Sequence, residues 1–192
     1  MTILPIDEIN ALEDKLAVHF EDNGKGRIKS KEDAEDIIDE LLDLFLLAYA
    51  NGANATNTEL GTAVMPPVDA VDAAVNKRIA GETYRERVMG YYENGGTLYD
   101  IQRIAETDAT RVYNQGAMDA VTANGMQDVT MKWWRTMRDG RVRDTHDYLE
   151  DVSVPFDAEF YTFDGDHAQG PGLFELPENN INCRCWLEIE GL

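Results

Sequence analysis

Apolar residues recur every three or four positions through the first third of the chain, which is the spacing of amphipathic helices. The spacing predicts a helix over Pro5–Phe20 and a second helix that begins after Ser30 and ends near Asn51-Gly52. Ser30 lies three residues before Asp33, as in a capping box, so its hydroxyl can accept a hydrogen bond from the Asp33 amide. The second helix carries a wide apolar stripe that includes Ile37, Leu41, Leu44 and Phe45. We therefore expect that face to be buried against other protein.

The middle of the chain combines a predicted linker with further helices. Asn51–Pro67 is small and polar and ends in two prolines, which predicts a linker. Helices are predicted over Val68–Ile79 and from there to about Glu93. The run Thr97-Leu98-Tyr99-Asp100 is a second capping-box pattern, and it opens a long helix that ends at Asn124-Gly125. Small residues on one face of this helix predict close packing against another helix.

The pattern changes to that of short strands after residue 125. Val129–Met137 is β-branched and aromatic, which predicts a strand. Asp139-Gly140 is a turn dipeptide and predicts a hairpin, while Val152–Gly172 predicts short strands and loops. Near the C-terminus, apolar residues alternate with polar ones in a half-buried strand, namely Cys185, Leu187 and Ile189.

These elements predict an α+β fold whose N-terminal two thirds are helical and whose C-terminal part is a small β-containing module. We divide the chain into residues 1–66, an acidic helical region with its linker, residues 67–127, a second helical part, and residues 128–192, the C-terminal module.

Charge is distributed unevenly along the 192 residues, whose formal net charge is −20. Residues 1–66 carry 14 acidic and 5 basic side chains, and residues 144–192 carry 12 acidic side chains and one basic side chain. The neutral middle contains a basic cluster: Lys132, Arg135, Arg138, Arg141 and Arg143. Lys132, Arg135 and Arg138 are candidate nucleic-acid contacts, and any such contact would be weak and salt-dependent. We prefer the alternative that the cluster neutralises the acidic tail.

Composition excludes several classes of protein. The chain has only two cysteines, two positions apart, so it is not a disulfide scaffold. We expect no membrane insertion, because no run approaches the roughly 18 apolar residues that a membrane span needs. We also expect no secretion by a standard signal, since the first ten residues lack a basic and apolar leader.

Three motifs stand out together. The first is the run from Glu106 to Asn114 on the long helix, and the second is Trp134 followed by the run from Asp139 to His146. The third is Asn182-Cys183-Arg184-Cys185. Their order and spacing resemble the phage Mu F-like head morphogenesis family, the minor head proteins of tailed bacteriophages. The resemblance covers roughly residues 98–188, and its motif residues are Trp134, Asp139, Arg141, Arg143, His146, Asn182, Cys183, Arg184 and Cys185.

The resemblance implies a structural and assembly protein. Such a protein would associate with the portal protein or the major capsid protein, in several copies per particle. It would lie in the host cytoplasm during assembly and in the phage head afterwards.

The residues themselves allow two interpretations of the second motif. In one, His146 is a general base, Arg143 stabilises a developing anion and Asp139 orients it, as in a nuclease- or hydrolase-like effector. In the other, these side chains form a polar clasp that holds the C-terminal strand against the long helix. We prefer the clasp, because no nucleophile has an evident partner, and we therefore expect no catalytic activity.

The cysteines also allow two interpretations. Cys183 and Cys185, with His146 and His167, would supply the four ligands of a tetrahedral zinc site. We prefer buried, metal-free thiols, because structural zinc sites usually separate their cysteines by two to four residues. No metal or other cofactor is therefore expected.

Overall fold

The computed structural model describes the backbone of residues 6–192, and the side chains of residues 8–22 and 24–192. The helices among these residues are α1 (Ile6–Ala17), α2 (Lys31–Leu60), α3 (Val68–Val75), α4 (Tyr84–Asn94), α5 (Leu98–Ala123), α6 (Asp144–Asp147) and α7 (Pro177–Asn180). The strands are β1 (Thr130–Arg135), β2 (Ser153–Pro155), β3 (Phe160–Tyr161), β4 (His167–Ala168) and β5 (Trp186–Gly191). The predicted α+β class, with helices first and a small β-containing module after them, is confirmed.

Both predicted capping boxes open helices. The Ser30 hydroxyl accepts from the Asp33 amide at 3.1 Å, at the start of α2. The Thr97 amide donates to the Asp100 carboxylate at 2.9 Å, at the start of α5. Each contact pairs an amide that the helix leaves without an internal acceptor. Pro5, the predicted start of α1, lies outside the described residues.

The prediction that the second helix ends near Asn51-Gly52 is wrong, because α2 continues to Leu60 and much of the predicted linker is helical. Gly52 permits close contact between helices instead of ending one. A Cβ atom on Gly52 would lie 2.0 Å from the Tyr113 carbonyl oxygen of α5, and one on Gly116 would lie 2.3 Å from the Tyr49 carbonyl oxygen of α2. The two glycines therefore let the backbones of α2 and α5 touch.

Two shorter elements also differ from their predictions. The third helix ends at Val75, because the chain turns there and forms an isolated bridge between Ile79 and Glu82. The predicted hairpin at Asp139-Gly140 is also wrong. The strand β1 pairs with β2 only after a connection that contains α6, so the Asp-Gly turn leads into a helix and not into a second strand.

The sheets of the C-terminal module are small and antiparallel. One sheet has the strand order β2-β1-β5, and β3 pairs with β4 separately. The strand β5 lies at an edge, in register with β1 so that Trp134 faces Leu187. The side chains of Trp133 and Trp134 lie on opposite faces of β1, so Trp134 is buried and Trp133 is half-buried.

Two apolar clusters form the interior. The first joins α1 to α5 and buries the predicted stripe of α2 within the chain, including Ile37, Leu41, Leu44 and Phe45. The second lies between the last turns of α5 and the C-terminal module, around Trp134, Phe160 and Phe174. The helix α5 contributes to both, so it connects the two regions. None of the helices in residues 6–192 is long and apolar enough to span a bilayer.

Candidate functional site

The three sequence motifs converge on one side of α5. The middle of this helix lies against the segment 179–187, and the segment 139–146 contacts that segment in turn. Polar contacts connect the three parts, although they are as many as 75 residues apart along the chain.

Asn114 is the buried contact between α5 and the start of β5. Its side-chain nitrogen lies 3.1 Å from the Cys185 carbonyl oxygen and 3.2 Å from that of Pro171. Its side-chain oxygen accepts from the Leu187 amide at 2.8 Å. Because the residue is fully buried, each of these backbone groups would otherwise lack a partner in the interior. Asn114 therefore fixes where the last strand begins.

Arg143 and Asn182 fix the preceding turn of the chain. The Arg143 guanidinium donates to the carbonyl oxygens of Asn179 at 3.0 Å and Ile181 at 2.6 Å. The Asn182 amide donates to the Thr107 hydroxyl of α5 at 2.9 Å, with Asn182 in the left-handed region at φ 56°. A guanidinium forms such paired contacts well because its donors are planar and fixed.

Asp139 and Arg184 form an ion pair at the surface of this arrangement. The Arg184 guanidinium contacts both carboxylate oxygens, at 2.8 and 2.9 Å, and the Arg141 amide donates to Asp139 at 3.0 Å. The hydrogen bond from Arg184, followed by that from the Arg141 backbone, lowers the pKa of the Asp139 carboxyl. Arg141 and Arg184 also line a cleft of about 530 Å³, which Arg103 and Arg143 share.

His146 lies among the two cysteines and the aromatic core. Its Nδ1 atom is 3.5 Å from the Sγ atoms of both Cys183 and Cys185. The imidazole stacks on Phe174 at 5.4 Å between ring centroids and meets the Trp134 ring edge-on at 5.3 Å. The Nε2 atom is buried and has no hydrogen-bond partner among the described residues.

The two thiols differ in their titration. A hydrogen bond from Cys185, together with His146, lowers the pKa of the Cys183 thiol well below its usual range, although burial opposes this. The same contact with Cys183, with burial, raises the pKa of the Cys185 thiol. The pair therefore loses its first proton more readily than an isolated buried thiol does.

Three of the four predicted zinc ligands come together and the fourth does not. The ligand atoms of His146, Cys183 and Cys185 all lie within 4.8 Å of one another. His167 lies instead on β4, where its Nδ1 atom is 3.1 Å from the Glu159 carboxylate and its ring contacts Tyr161. The inclusion of His167 in the set was wrong, because β4 pairs with β3 away from the segment 183–185.

The structure has a buried ion pair next to Asn114 that the site residues predicted from the sequence do not include. Arg111 donates to the Asp108 carboxylate at 3.0 and 3.2 Å and to the Ala74 carbonyl oxygen at 2.6 Å. Arg87 forms a second ion pair with Asp108. Burial lowers the pKa of the Arg111 guanidinium, and the Asp108 carboxylate opposes that shift. Asp108, Arg111 and Asn114 follow one another at intervals of three, so their shared helix face was a signal available in the sequence.

The candidate nucleic-acid contacts are engaged within the chain. Lys132 is fully buried and donates to the carbonyl and side-chain oxygens of Gln169, at 2.8 and 2.7 Å. Arg135 forms ion pairs with Asp151 and Glu188, and Arg138 pairs with Glu150 and Asp151. These contacts agree with the preferred interpretation, in which the basic cluster neutralises acidic residues of the tail. A nucleic-acid contact through these three residues remains a prediction, and their engagement argues against it.

The three residues of the catalytic alternative also have separate partners. Asp139 pairs with Arg184, Arg143 donates to backbone carbonyl groups, and His146 contacts the two thiols. Among the described residues, none of the three forms a hydrogen bond with either of the other two. All three contact the segment 179–185, as the clasp interpretation expects, but the contacts of that segment with α5 come from Asn114 and Thr107 instead.

Comparison with known proteins gives a family and one curated relative. Residues 69–188 match the family described as Phage Mu protein F like protein. The NAD(+)--arginine ADP-ribosyltransferase EFV of Enterococcus faecalis (strain ATCC 700802 / V583) is 33% identical over 109 residues, which are 55% of this chain and 22% of that protein. No solved structure matches the chain. Because the family match covers more than half of its residues and all three motifs, the chain belongs to the phage Mu protein F like family of head morphogenesis proteins.

Proposed function

We propose that the protein is a minor head protein that binds the portal protein or the inner face of the capsid while the phage head assembles, and that it remains in the virion. In this proposal its role is binding through the helical region, and the motif residues keep the C-terminal module folded in one shape.

The observation that carries the proposal is that the motif side chains form hydrogen bonds with other parts of the same chain. The side chains of Asn114, Arg143 and Asp139 form hydrogen bonds with the segment 171–187. Contacts of this kind hold a segment of the chain in one conformation, which is a structural role. They support the absence of catalytic turnover, which is part of the proposal.

The exposed face of α2 is the surface that we assign to the partner. Asp36, Asp39 and Asp43 are exposed on it, and Leu46 and Leu47 lie exposed one turn further on, each at 42%. An acidic stripe beside apolar side chains suits a partner surface that is basic and partly apolar. Charge complementarity of this kind would guide the subunit to its site during assembly.

Co-purification tests the proposal. The chain is expressed with the portal protein or the capsid protein of the phage that encodes it, and each complex is isolated through a tag on the partner. We expect the wild-type chain to co-elute, and the triple variant Asp36→Lys, Asp39→Lys, Asp43→Lys to be lost. The matched control carries the same charge change at the exposed residues Glu175, Glu178 and Glu190, and should still bind. Absence of the wild-type chain from both complexes and from purified heads would contradict the proposal.

Assays for catalysis test the remaining part. The substrates are duplex and single-stranded DNA for a nuclease, and NAD⁺ with an arginine-containing acceptor, because the name of the curated relative specifies arginine ADP-ribosylation. We expect no turnover above buffer. Turnover that the folded variant Arg143→Lys loses would favour an enzyme in place of the assembly role.

A further inference from the structure

We propose that His146, Cys183 and Cys185 bind one zinc ion, which joins α6 to the segment that precedes β5. The three side chains are almost completely buried, with exposed fractions of 1%, 2% and 3%. The site goes beyond the proposed assembly role and does not depend on it. It also departs from the metal-free thiols that the spacing of the cysteines favoured.

The distances between the ligand atoms match a tetrahedral zinc site. Zinc binds thiolate sulfur at about 2.3 Å and imidazole nitrogen at about 2.0–2.1 Å. At tetrahedral angles, those two bond lengths place sulfur and nitrogen about 3.5 Å apart. The Nδ1 atom of His146 lies 3.5 Å from both Sγ atoms, so a zinc ion fits between the three atoms with little movement of the chain.

The orientation of the imidazole also indicates a metal. A thiol is a weak hydrogen-bonding group, yet the ring directs Nδ1 towards two of them. In the described part of the chain, this orientation leaves the buried Nε2 atom without a partner. A buried polar atom without a partner requires an explanation, and a strong bond from Nδ1 to zinc supplies one. Phe174 and Trp134 hold the ring in this orientation from either side.

A small cavity provides the fourth position. It has a volume of about 20 Å³ and is lined by all three ligands together with Arg141 and Arg143. A volume of this size holds one water molecule. We therefore assign water as the fourth ligand.

The net charge of the three ligands and the type of their donor atoms both favour zinc. Two thiolates and a neutral imidazole bring the charge of a divalent ion to zero, which is what a buried site requires. Sulfur and nitrogen donors in a tetrahedral arrangement favour zinc over magnesium or calcium, which prefer oxygen. On binding, the ion displaces to solvent the thiol protons that Cys183 and Cys185 still carry.

Metal analysis of the tag-free full chain tests the site. The protein is purified under reducing conditions, incubated with zinc sulfate and desalted, and zinc is measured by mass spectrometry. We expect one zinc per chain, none in Cys185→Ser, and one in the matched control His167→Asn. Cobalt in place of zinc should give the intense visible absorption of tetrahedral thiolate coordination, and this absorption should be absent from Cys185→Ser.

X-ray absorption at the zinc edge of the wild-type protein decides the outcome if the cysteine variant fails to fold. A first shell of two sulfur atoms and one imidazole nitrogen, with one further light atom, supports the proposal. A folded wild-type chain that retains no zinc overturns it. Zinc held only by oxygen and nitrogen, or lost in His167→Asn and kept in Cys185→Ser, overturns it equally.

Discussion

The helical region and the C-terminal module are held together by different interactions. Within α1 to α5, the interior consists mainly of aliphatic and aromatic side chains on regular helices, and two glycines bring α2 and α5 into contact. The C-terminal module has little regular structure, and its sheets contain three strands and two strands. Buried polar side chains fix its loops by hydrogen bonds to backbone groups, as Asn114 and Asn180 do.

This difference explains why the family motifs lie where they do. An apolar helix face tolerates many substitutions of similar size, so no particular residue is required at most positions of α2. A buried side chain that pairs with several backbone groups can rarely be replaced, because any change leaves those groups without partners. The shape of the C-terminal module therefore depends on the buried motif residues, such as Asn114 and His146.

The largest effect is expected from Asn114→Ala. The substitution leaves the Pro171 and Cys185 carbonyl groups and the Leu187 amide without their buried partner. At about 1–3 kcal/mol for each buried unpaired group, partly relieved by water, we expect the free energy of unfolding to fall by about 3–5 kcal/mol. Urea denaturation followed by tryptophan fluorescence measures the change. The control is the exposed Asn54→Ala in α2, which should change stability by less than about 0.5 kcal/mol.

Gly52→Ala should weaken the helical region by a comparable but smaller amount. The new methyl group would meet the Tyr113 carbonyl oxygen at 2.0 Å, and backbone cannot move aside as a side chain can. We expect a loss of about 3 kcal/mol, the upper end of the range for overpacked interiors. Thermal unfolding by circular dichroism measures it. Gly90→Ala in α4 is the matched control, because its Cβ would have open space, and it should leave the protein as stable or more so.

His146→Ala should destabilise the metal-free C-terminal module by about 1–3 kcal/mol. The substitution removes the ring that packs between Phe174 and Trp134 and leaves both thiols without their nitrogen partner. Urea denaturation in the presence of a chelator measures the change. His167→Ala, which lies on the exposed side of β4, should stay within about 0.5 kcal/mol of the wild type. Equal stability of both variants would show that the position of His146 contributes nothing.

Lys132 should make stability depend on pH. Burial lowers the pKa of its ammonium group from 10.5 to about 8, against the opposing effect of Asp157 and Glu159. Between these two pKa values the unfolded chain binds more protons than the folded one, so stability rises with pH, and below pH 8 the full cost of the buried charge is present. We expect the wild type to gain about 1.5 kcal/mol relative to Lys132→Met between pH 8 and 9.5. Parallel unfolding curves of the two proteins across that range would contradict the assignment.

The local signals in the sequence predicted local structure well. Ser30 and Thr97 start helices through contacts within three residues, as their capping-box patterns predict. The resemblance includes both His146 and Cys185 among its motif residues, and their Nδ1 and Sγ atoms lie 3.5 Å apart. All of these predictions are confirmed by the structure.

The failures concern residues whose role depends on distant parts of the chain. Considered within α2 alone, Gly52 indicates a helix end. The helix continues through Gly52 because the backbone of α5 approaches closely there, next to Gly116. Besides Thr110, the partners of Asn114 lie 57 to 73 residues away, so no local pattern identifies them. The spacing of Cys183 and Cys185 is unusual for zinc, and the third ligand comes from a helix whose position the sequence does not determine.

Amide hydrogen exchange at Leu187 and Asn182 tests most directly whether the motif side chains hold the C-terminal module in place. The Leu187 amide donates to Asn114 and the Asn182 amide donates to Thr107, so each reports on one contact with α5. Both amides should exchange only when the whole chain unfolds. In Asn114→Ala they should exchange faster than the amides in the middle of α2. Rapid exchange of Leu187 in the folded wild-type protein, at the rate of an exposed loop, would contradict the account.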